Sequence, residues 1–284
     1  MLTWQPFKND RQVHIENFYS MFKKYYNSDY DFPGEVHDFW ECLYVIDGDV
    51  QVSGDERVYA LTSGDIIFHK PMELHKFSVK NEKGATLLIF SFSMEGNLQD
   101  YFRNSVFSLN REQQRIISDL IYYMESKTEN YEYEDEYQEF IRYFLPAEES
   151  DIYLQRVVYY LYQFFLSLAD KGKTNTHSIS TPETALFKEA VRYMQSNVSQ
   201  QLTVNDIAKH CGISQSGLKR TFSKFAGISI HKYFLNLKLN VAISLLQSGS
   251  TVSEVTEELN FSSQSYFSAA FKREMGSSPS RFKN

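Results

Sequence analysis

Residues 203–227 read Thr203-Val-Asn-Asp-Ile-Ala-Lys-His-Cys-Gly-Ile-Ser-Gln-Ser-Gly-Leu-Lys-Arg-Thr-Phe-Ser-Lys-Phe-Ala-Gly227, and the same pattern returns in altered letters from Thr251 to Gly276. Thr203-Val-Asn-Asp-Ile207 is answered 48 positions later by Thr251-Val-Ser-Glu-Val255. Beyond the turn the offset becomes 49, so that Leu218 meets Phe267, Phe222 meets Phe271, Lys224 meets Arg273 and Gly227 meets Gly276. One duplicated unit with a residue inserted in its second turn accounts for both offsets.

Each copy opens on a capping signal, Thr203-x-x-Asp206 and Thr251-x-x-Glu254. The hydroxyl accepts from an early helix N–H and the acid favours the positive helix end. Each first helix stops at a residue suited to left-handed backbone, Gly212 and Asn260. An apolar residue and a serine follow, Ile213-Ser214 and Phe261-Ser262, the serine placed to cap a second helix. That is helix, tight turn, helix, twice. In each second helix an apolar pair four apart, Leu218 with Phe222 and Phe267 with Phe271, pins one face to the domain and leaves the other to enter a DNA groove.

At these residues a family resemblance becomes specific. "DIAKHCGISQSGLKRTFSKFAGIS", a linking helix and "VSEVTEELNFSSQSYFSAAFKREMGSSPSRF" together resemble the DNA-binding domain of the AraC/XylS family of bacterial transcription regulators. Three positions depart from the family pattern: Asn260 stands where Gly is usual, Lys238 where Arg is frequent, and Thr256 where Ala is usual. Thr256 is expected to crowd a helix contact. On the first recognition helix the outward positions are Gln215, Ser216, Lys219 and Arg220; on the second they are Gln264, Ser265, Ser268 and Ala269. Arg220 and Lys219 can donate to guanine O6 and N7. With only Ala269 opposite Arg220 in the repeat, the first module is expected to read most bases. The second is expected to hold phosphates through Lys272 and Arg273, with Gln264 directed to adenine.

The charge is divided as DNA binding requires. Residues 181–284 carry 12 Lys and Arg against 7 Asp and Glu, whereas 1–180 carry 17 against 29. The positive part suits phosphates and the acidic part repels them. Two cysteines, Cys42 and Cys211, form no Cys-x-x-Cys pattern, so neither a disulfide framework nor a structural zinc is expected. The start lacks the layout of a secretory signal, and the longest nearly apolar run, Val157 to Ala169, is 13 residues, short of a membrane span. A cytoplasmic protein that touches no membrane is expected.

Between Glu35 and Phe92, short runs of Val, Ile, Phe and Tyr are punctuated at Asp47-Gly48, Ser53-Gly54, Ser63-Gly64 and Lys83-Gly84, which indicates an antiparallel sandwich or barrel. "HDFWECLYVIDGDV" and "YALTSGDIIFHKPMELHKF" resemble the cupin-like effector domain that precedes the DNA-binding domain in many AraC-type regulators. On a strand, Glu35, His37, Phe39 and Glu41 would share one face, toward the interior. Metal-binding cupins supply two His and a Glu from the first motif and a His from the second. On that alignment Glu35 replaces the first His, His37 is the second, Glu41 is the Glu and His75 is the later His. Two imidazoles and two carboxylates could hold Mn, Fe or Zn. The reading preferred from the sequence is a metal-free effector cavity lined by Glu35, His37, Phe39, Glu41 and His75, with no cofactor and no catalysis. His69 reads as a strand-end histidine.

The expected organisation is α+β in two domains. Residues 1–96 form a cupin-like antiparallel β-barrel sensor, 97–170 a helical segment, 171–180 a linker and 181–284 an all-α tandem helix-turn-helix domain. In the helical segment, Ile116, Ile117, Leu120 and Ile121 make an amphipathic stripe and 152–168 is apolar on more than one side. The resemblance places the dimer interface of a homodimer there; packing on the chain's own barrel is the alternative. The acidic run 129–140 reads as a solvated face. The expected partners are double-stranded DNA, a small-molecule effector and, for an activator, RNA polymerase. The alternatives are a barrel that serves only for oligomerisation, or a metal-dependent cupin enzyme fused to a DNA anchor.

Overall fold

The computed structural model describes residues 11–127, 133–134, 140–143, 151–170 and 178–282. The acidic run, apart from strand residues at 133–134 and 140, and the linker residues 171–177 lie outside the described residues. The strands are β1 (His14–Tyr26), β2 (Trp40–Asp47), β3 (Asp49–Gly54), β4 (Arg57–Thr62), β5 (Asp65–His69), β6 (His75–Val79) and β7 (Ala85–Glu95). Then follow helix α1 (Leu98–Phe102), β8 (Val106–Ser108), α2 (Arg111–Glu125), β9 (Tyr133–Glu134), β10 (Phe140–Tyr143) and α3 (Asp151–Ala169). The C-terminal part is α4 (Pro182–Ser196), α5 (Val204–His210), α6 (Gln215–Ala226), α7 (Ile230–Gln247), α8 (Val252–Glu258) and α9 (Gln264–Met275). Among the described residues no helix is long and apolar enough to cross a membrane.

The strands make two antiparallel sheets, in the orders β8-β5-β2-β7-β1-β10-β9 and β4-β3-β6. The expected barrel is therefore an open sandwich: the ladder does not close, and each sheet keeps two edges. Residues Trp40 to Val45 of β2 are all buried, because β2 lies inside the larger sheet and both of its faces are covered. One face meets the smaller sheet through Leu43, Val45, Val50, Val52, Leu61, Val79 and Leu87. The other is covered by α2 and α3, whose Ile117, Leu120, Val157, Leu161, Phe164 and Phe165 pack on Trp40, Phe68, Phe90 and Phe92. The inner faces of both helices are thus spent on their own chain. Ile152, Tyr159 and Leu166, seven apart on α3, remain 77%, 64% and 45% exposed.

The repeat folds as its caps dictate. Thr203 Oγ1 accepts from the Asp206 N–H and the Asp206 carboxylate accepts from the Thr203 N–H; Thr251 and Glu254 do the same. Asn260 adopts φ +51°, the left-handed role that Gly212 fills at +67°. The cap of α9 is Ser263, not the expected Ser262, which locates the inserted residue in that turn. Thr256 does not crowd its neighbours as expected. Its buried hydroxyl donates to the Val252 carbonyl at 2.7 Å, inside its own helix.

The two halves share a core. Val58 and Leu74 of the sandwich belong to one cluster with Leu218, Phe222 and Phe225 of the first helix-turn-helix module, Phe187 of α4 and Phe234 of α7. Ser178 pairs with Tyr59, and the Ile179 N–H donates to the Val58 carbonyl at 2.8 Å, so the end of the expected linker extends the edge at β4. Ser53 Oγ donates to the Phe225 carbonyl, and Asn240 Nδ2 of α7 donates to the Met72 carbonyl at 2.7 Å. Gly227, the left-handed cap of α6, lies so close to Pro33 that an added Cβ would overlap its carbonyl oxygen.

Gly276 is the counterpart of Gly227 in the second module, with φ +70° against +69°, and it has nothing within 4 Å of a built Cβ. Gly276→Ala should cost about 1 kcal/mol of backbone strain. Gly227→Ala should cost clearly more and should also speed amide hydrogen exchange around Pro33–Glu35. Equal melting shifts for the two variants would mean that the halves do not hold this contact in solution. A second expectation concerns Lys238, whose Nζ donates to the Leu259 carbonyl at 2.6 Å above the rings of Phe234 and Phe261. Burial lowers its pKa to about 8. Between that value and the unfolded value of about 10.4, the unfolded chain binds more protons, so stability rises with pH. Lys238→Met should flatten the rise in melting temperature between about pH 8 and 10.

Candidate functional site

A cavity of about 470 Å³ opens between the two sheets, next to the edge formed by β6. Glu35, His37, Phe39, Glu41 and His75 all line it, as expected. They arrive by a different route from the one expected. Only Glu41 lies within β2; residues 36–38 are irregular, and Glu35 is fixed by a two-way backbone pair with His75, 3.0 Å in each direction. The segment therefore crosses from the edge of the small sheet to the middle of the large one, carrying donors from both.

Sheet register brings in residues that the linear motif does not contain. Glu41 of β2 pairs with His69 of β5 on one side and with Ser91 of β7 on the other. Cross-strand partners point to the same face, so His69 and Ser91 also line the cavity. Ser91 Oγ donates to Glu41 Oε2 at 3.3 Å. His69 is a strand-end histidine, as read, yet it stacks on His75 at 4.3 Å and meets Glu73 at 3.2 Å. Lys24, buried at 6% exposure, has its ammonium 4.8 Å from the Tyr26 ring centre. The alternation of β1 was the available signal for Lys24; nothing linear pointed to Ser91.

The cavity has two ends of different chemistry. At one end Phe77 contacts Tyr26 edge-on at 5.0 Å and stacks on Phe32 at 5.3 Å. At the other end Glu35, His37, Glu41 and His75 each offer one donor atom, all within 4.8 Å of one another. His75 Nε2 lies 3.1 Å from Glu41 Oε1 and 3.5 Å from Glu35 Oε1, and His37 Nε2 lies 3.6 Å from Glu41 Oε2. Burial by itself would raise the Glu41 pKa, but the hydrogen bonds and charges of His37 and His75 hold it well below the carboxylate range. Burial likewise opposes a charge on His75, and Glu35 and Glu41 push its pKa well above the ordinary value. Phe39 and Phe77 line the cavity, while Trp40 and Phe68 are core.

The positions expected to face DNA lie on α6 and α9. Gln215, Ser216, Lys219 and Arg220 are exposed, as are Gln264, Ser265, Lys272 and Arg273, whereas Ser268 is half-buried. Gln215 is oriented by Asn205 at 3.3 Å. Arg273 pairs with Glu274 at 2.7 Å, and Glu274 also meets Lys232 at 3.6 Å, which reduces the charge that Arg273 can offer a phosphate. Helix α7, 18 residues or about 27 Å long, joins the two modules.

Comparison with known proteins follows this division. Residues 19–133 match the AraC-like ligand binding domain, and residues 207–284 match a helix-turn-helix domain. The chain is 28% identical over 257 residues to the HTH-type transcriptional regulator YfiF of Bacillus subtilis (strain 168), spanning 87% of this chain and 77% of that protein. It is 25% identical over 244 residues to the HTH-type transcriptional regulator YidL of Escherichia coli (strain K12), spanning 85% and 74%. The crystal structure of ToxT from Vibrio cholerae O395 aligns over 95% of this chain and 96% of that one, at 15% identity and a TM-score of 0.38.

Proposed function

We propose, from the premise that this chain is an AraC-family transcription regulator joining a ligand-binding domain to a helix-turn-helix DNA-binding domain, that the cavity between the sheets is its effector site. The effector acts by changing the hold of the sandwich on α6. One observation carries this reading: the cavity wall and the contact with α6 are the same backbone. Glu35 and His75 line the cavity. Their chain neighbours Gly34 and Lys76 lie against Ala226 and Gly227 at the end of the first recognition helix. A ligand that moves Glu35 or His75 must disturb that contact or tighten it. An aromatic wall facing a charged end suits a small molecule with one apolar and one polar face.

In this reading Arg220 and Lys219 read bases, helped by Gln215 and Ser216. The second module adds Gln264, Ser265 and Ser268 at the groove and Lys272 and Arg273 on phosphates. The exposed stripe Ile152, Tyr159 and Leu166 on α3 supports a homodimer in the cytoplasm, and an activator would in addition contact RNA polymerase. The proposed boundaries at 170 and 180 are kept, but residues 97–170, expected to be a helical segment, also supply β8, β9 and β10 to the larger sheet and so belong with the sandwich; the cavity is assigned binding rather than turnover.

Two measurements test the assignment. With DNA selected by the protein from a random pool, Arg220→Ala should cost about 1–3 kcal/mol and relax preference at one base pair; Lys272→Ala should weaken all sequences alike and flatten the salt slope by about one unit. Unchanged sequence preference in Arg220→Ala would remove that residue from base reading. Native mass spectrometry of the full-length protein should show a noncovalent organic adduct that Val52→Phe, filling the cavity floor, abolishes while DNA binding persists. A protein that carries no adduct and regulates identically with the cavity filled would make the sandwich an oligomerisation module.

A further inference from the structure

The polar end of the cavity sets two imidazole nitrogens against two carboxylates. His37 Nδ1 lies 3.0 Å from the Phe39 carbonyl oxygen, and His75 Nδ1 lies 3.0 Å from the Glu73 carbonyl oxygen. A carbonyl oxygen only accepts, so each Nδ1 carries the proton and donates. Both Nε2 atoms are left facing two carboxylates. In neutral rings they present lone pairs: His75 Nε2 to Glu41 and Glu35 at 3.1 and 3.5 Å, and His37 Nε2 to Glu41 at 3.6 Å with no hydrogen-bond partner of its own. Such a centre is stable only with positive charge inside it. Protons supply that charge one ring at a time, whereas a single cation satisfies all four side chains together.

The spacing fits an ion of defined size. Bonds of about 2.0–2.2 Å in a tetrahedron place neighbouring donors about 3.3–3.6 Å apart. The two separations that share His75 Nε2, 3.1 Å to Glu41 Oε1 and 3.5 Å to Glu35 Oε1, lie at or near that range; His37 faces the other Glu41 oxygen, and one donor atom from each of the four residues falls within 4.8 Å of the rest, so small side-chain shifts close the set. The supports that a metal site needs are also in place. The two carbonyls fix the rings so that Nε2 points inward, and Ser91 anchors the second oxygen of Glu41. Two imidazoles disfavour calcium and magnesium, which take oxygen donors.

We propose that Glu35, His37, Glu41 and His75 bind one divalent transition-metal ion of the zinc class at the polar end of the effector cavity. The proposal rests on the reading of that cavity as the effector site and deepens it. Glu35 is the exposed member, its side chain 46% accessible, and it is the side from which the ion enters. Because Glu35 and His75 are also paired through their backbones, an ion held between them braces the two segments that touch Ala226 and Gly227. Metal occupancy is thereby coupled to the first recognition helix.

The test strips the full-length protein with a chelator, titrates it with Co²⁺ alone while following visible absorption, and then displaces the cobalt with Zn²⁺. One equivalent should bind and give the spectrum of a low-coordinate nitrogen and oxygen site. His37→Gln, the less buried of the two histidines, should weaken binding by about 100-fold or more, and Ser91→Ala by about 10-fold. Glu35→Gln, at the exposed edge, provides a variant whose folding is not at stake, and it should weaken binding too. No stoichiometric uptake by the folded protein overturns the proposal, as does uptake by His37→Gln and Glu35→Gln that matches that of the unsubstituted protein. An organic adduct retained by a protein that takes up no ion overturns the metal and leaves the effector site standing. Ion uptake without an organic adduct supports the metal and makes the ion itself the signal.

Discussion

A carboxylate buried in the middle of a sheet has to be compensated, and the arrangement around Glu41 follows from that constraint. Removing an unpaired charge from water costs several kcal/mol. Glu41 is 7% exposed on a strand whose neighbours are otherwise apolar. It is tolerated because strand register delivers Ser91 and His69 beside it and the crossing segment brings His37 over it, while β6 supplies His75. The same requirement keeps the sandwich from closing into apolar packing at this end. Val50, Val52, Leu61, Val79 and Leu87 fill one part of the inner space, and the polar group leaves the other part as a cavity.

That cavity lies at the seam between the halves rather than at the far side of the sensor. The first helix-turn-helix module shares a hydrophobic cluster with Val58 and Leu74, and its helix cap is fitted against Pro33. The second module is held mainly through α7 and its own core of Leu239, Leu246, Val255, Phe267 and Phe271. The two copies of one repeat therefore stand in different mechanical situations. The copy pressed against the cavity wall is also the one with Lys219 and Arg220 on its outer face. On the proposed function, base reading and effector control would converge on α6, with the second module supplying area and charge.

Charge distribution reinforces this. Near the contact each half pairs its own charges, Lys224 with Glu183 in the helical half and Lys76 with Asp31 in the sandwich. Away from the contact the sensor repels the phosphate backbone. DNA is therefore drawn to the face carrying α6 and α9 and kept from the rest.

Much of this was legible in the chain. Caps and stops are local chemistry, so Thr203, Thr251, Gly212 and Asn260 announced the repeat. The change of offset from 48 to 49 marked an insertion that the structure resolves at the cap of α9, where Ser263 replaces Ser262. The motif residues of the cavity were named from the sequence, but the alternation of Glu35, His37, Phe39 and Glu41 along one strand was not the reason they meet, since only Glu41 lies in β2. Register was not readable, since pairing Glu41 with His69 and Ser91 depends on hydrogen bonds between strands, to residues 28 and 50 positions away. Nor was the open sandwich, because alternation is the same in a closed ladder and in two facing sheets. The sequence alone determined the two modules and named candidate donors for the cavity; of the positions it put outward, Ser268 is half-buried. The tertiary structure decided that those donors meet, that their rings are turned inward by backbone carbonyls, and that the cavity wall touches one recognition helix. Local propensity acts over a few residues, whereas these contacts arise only when distant segments pack.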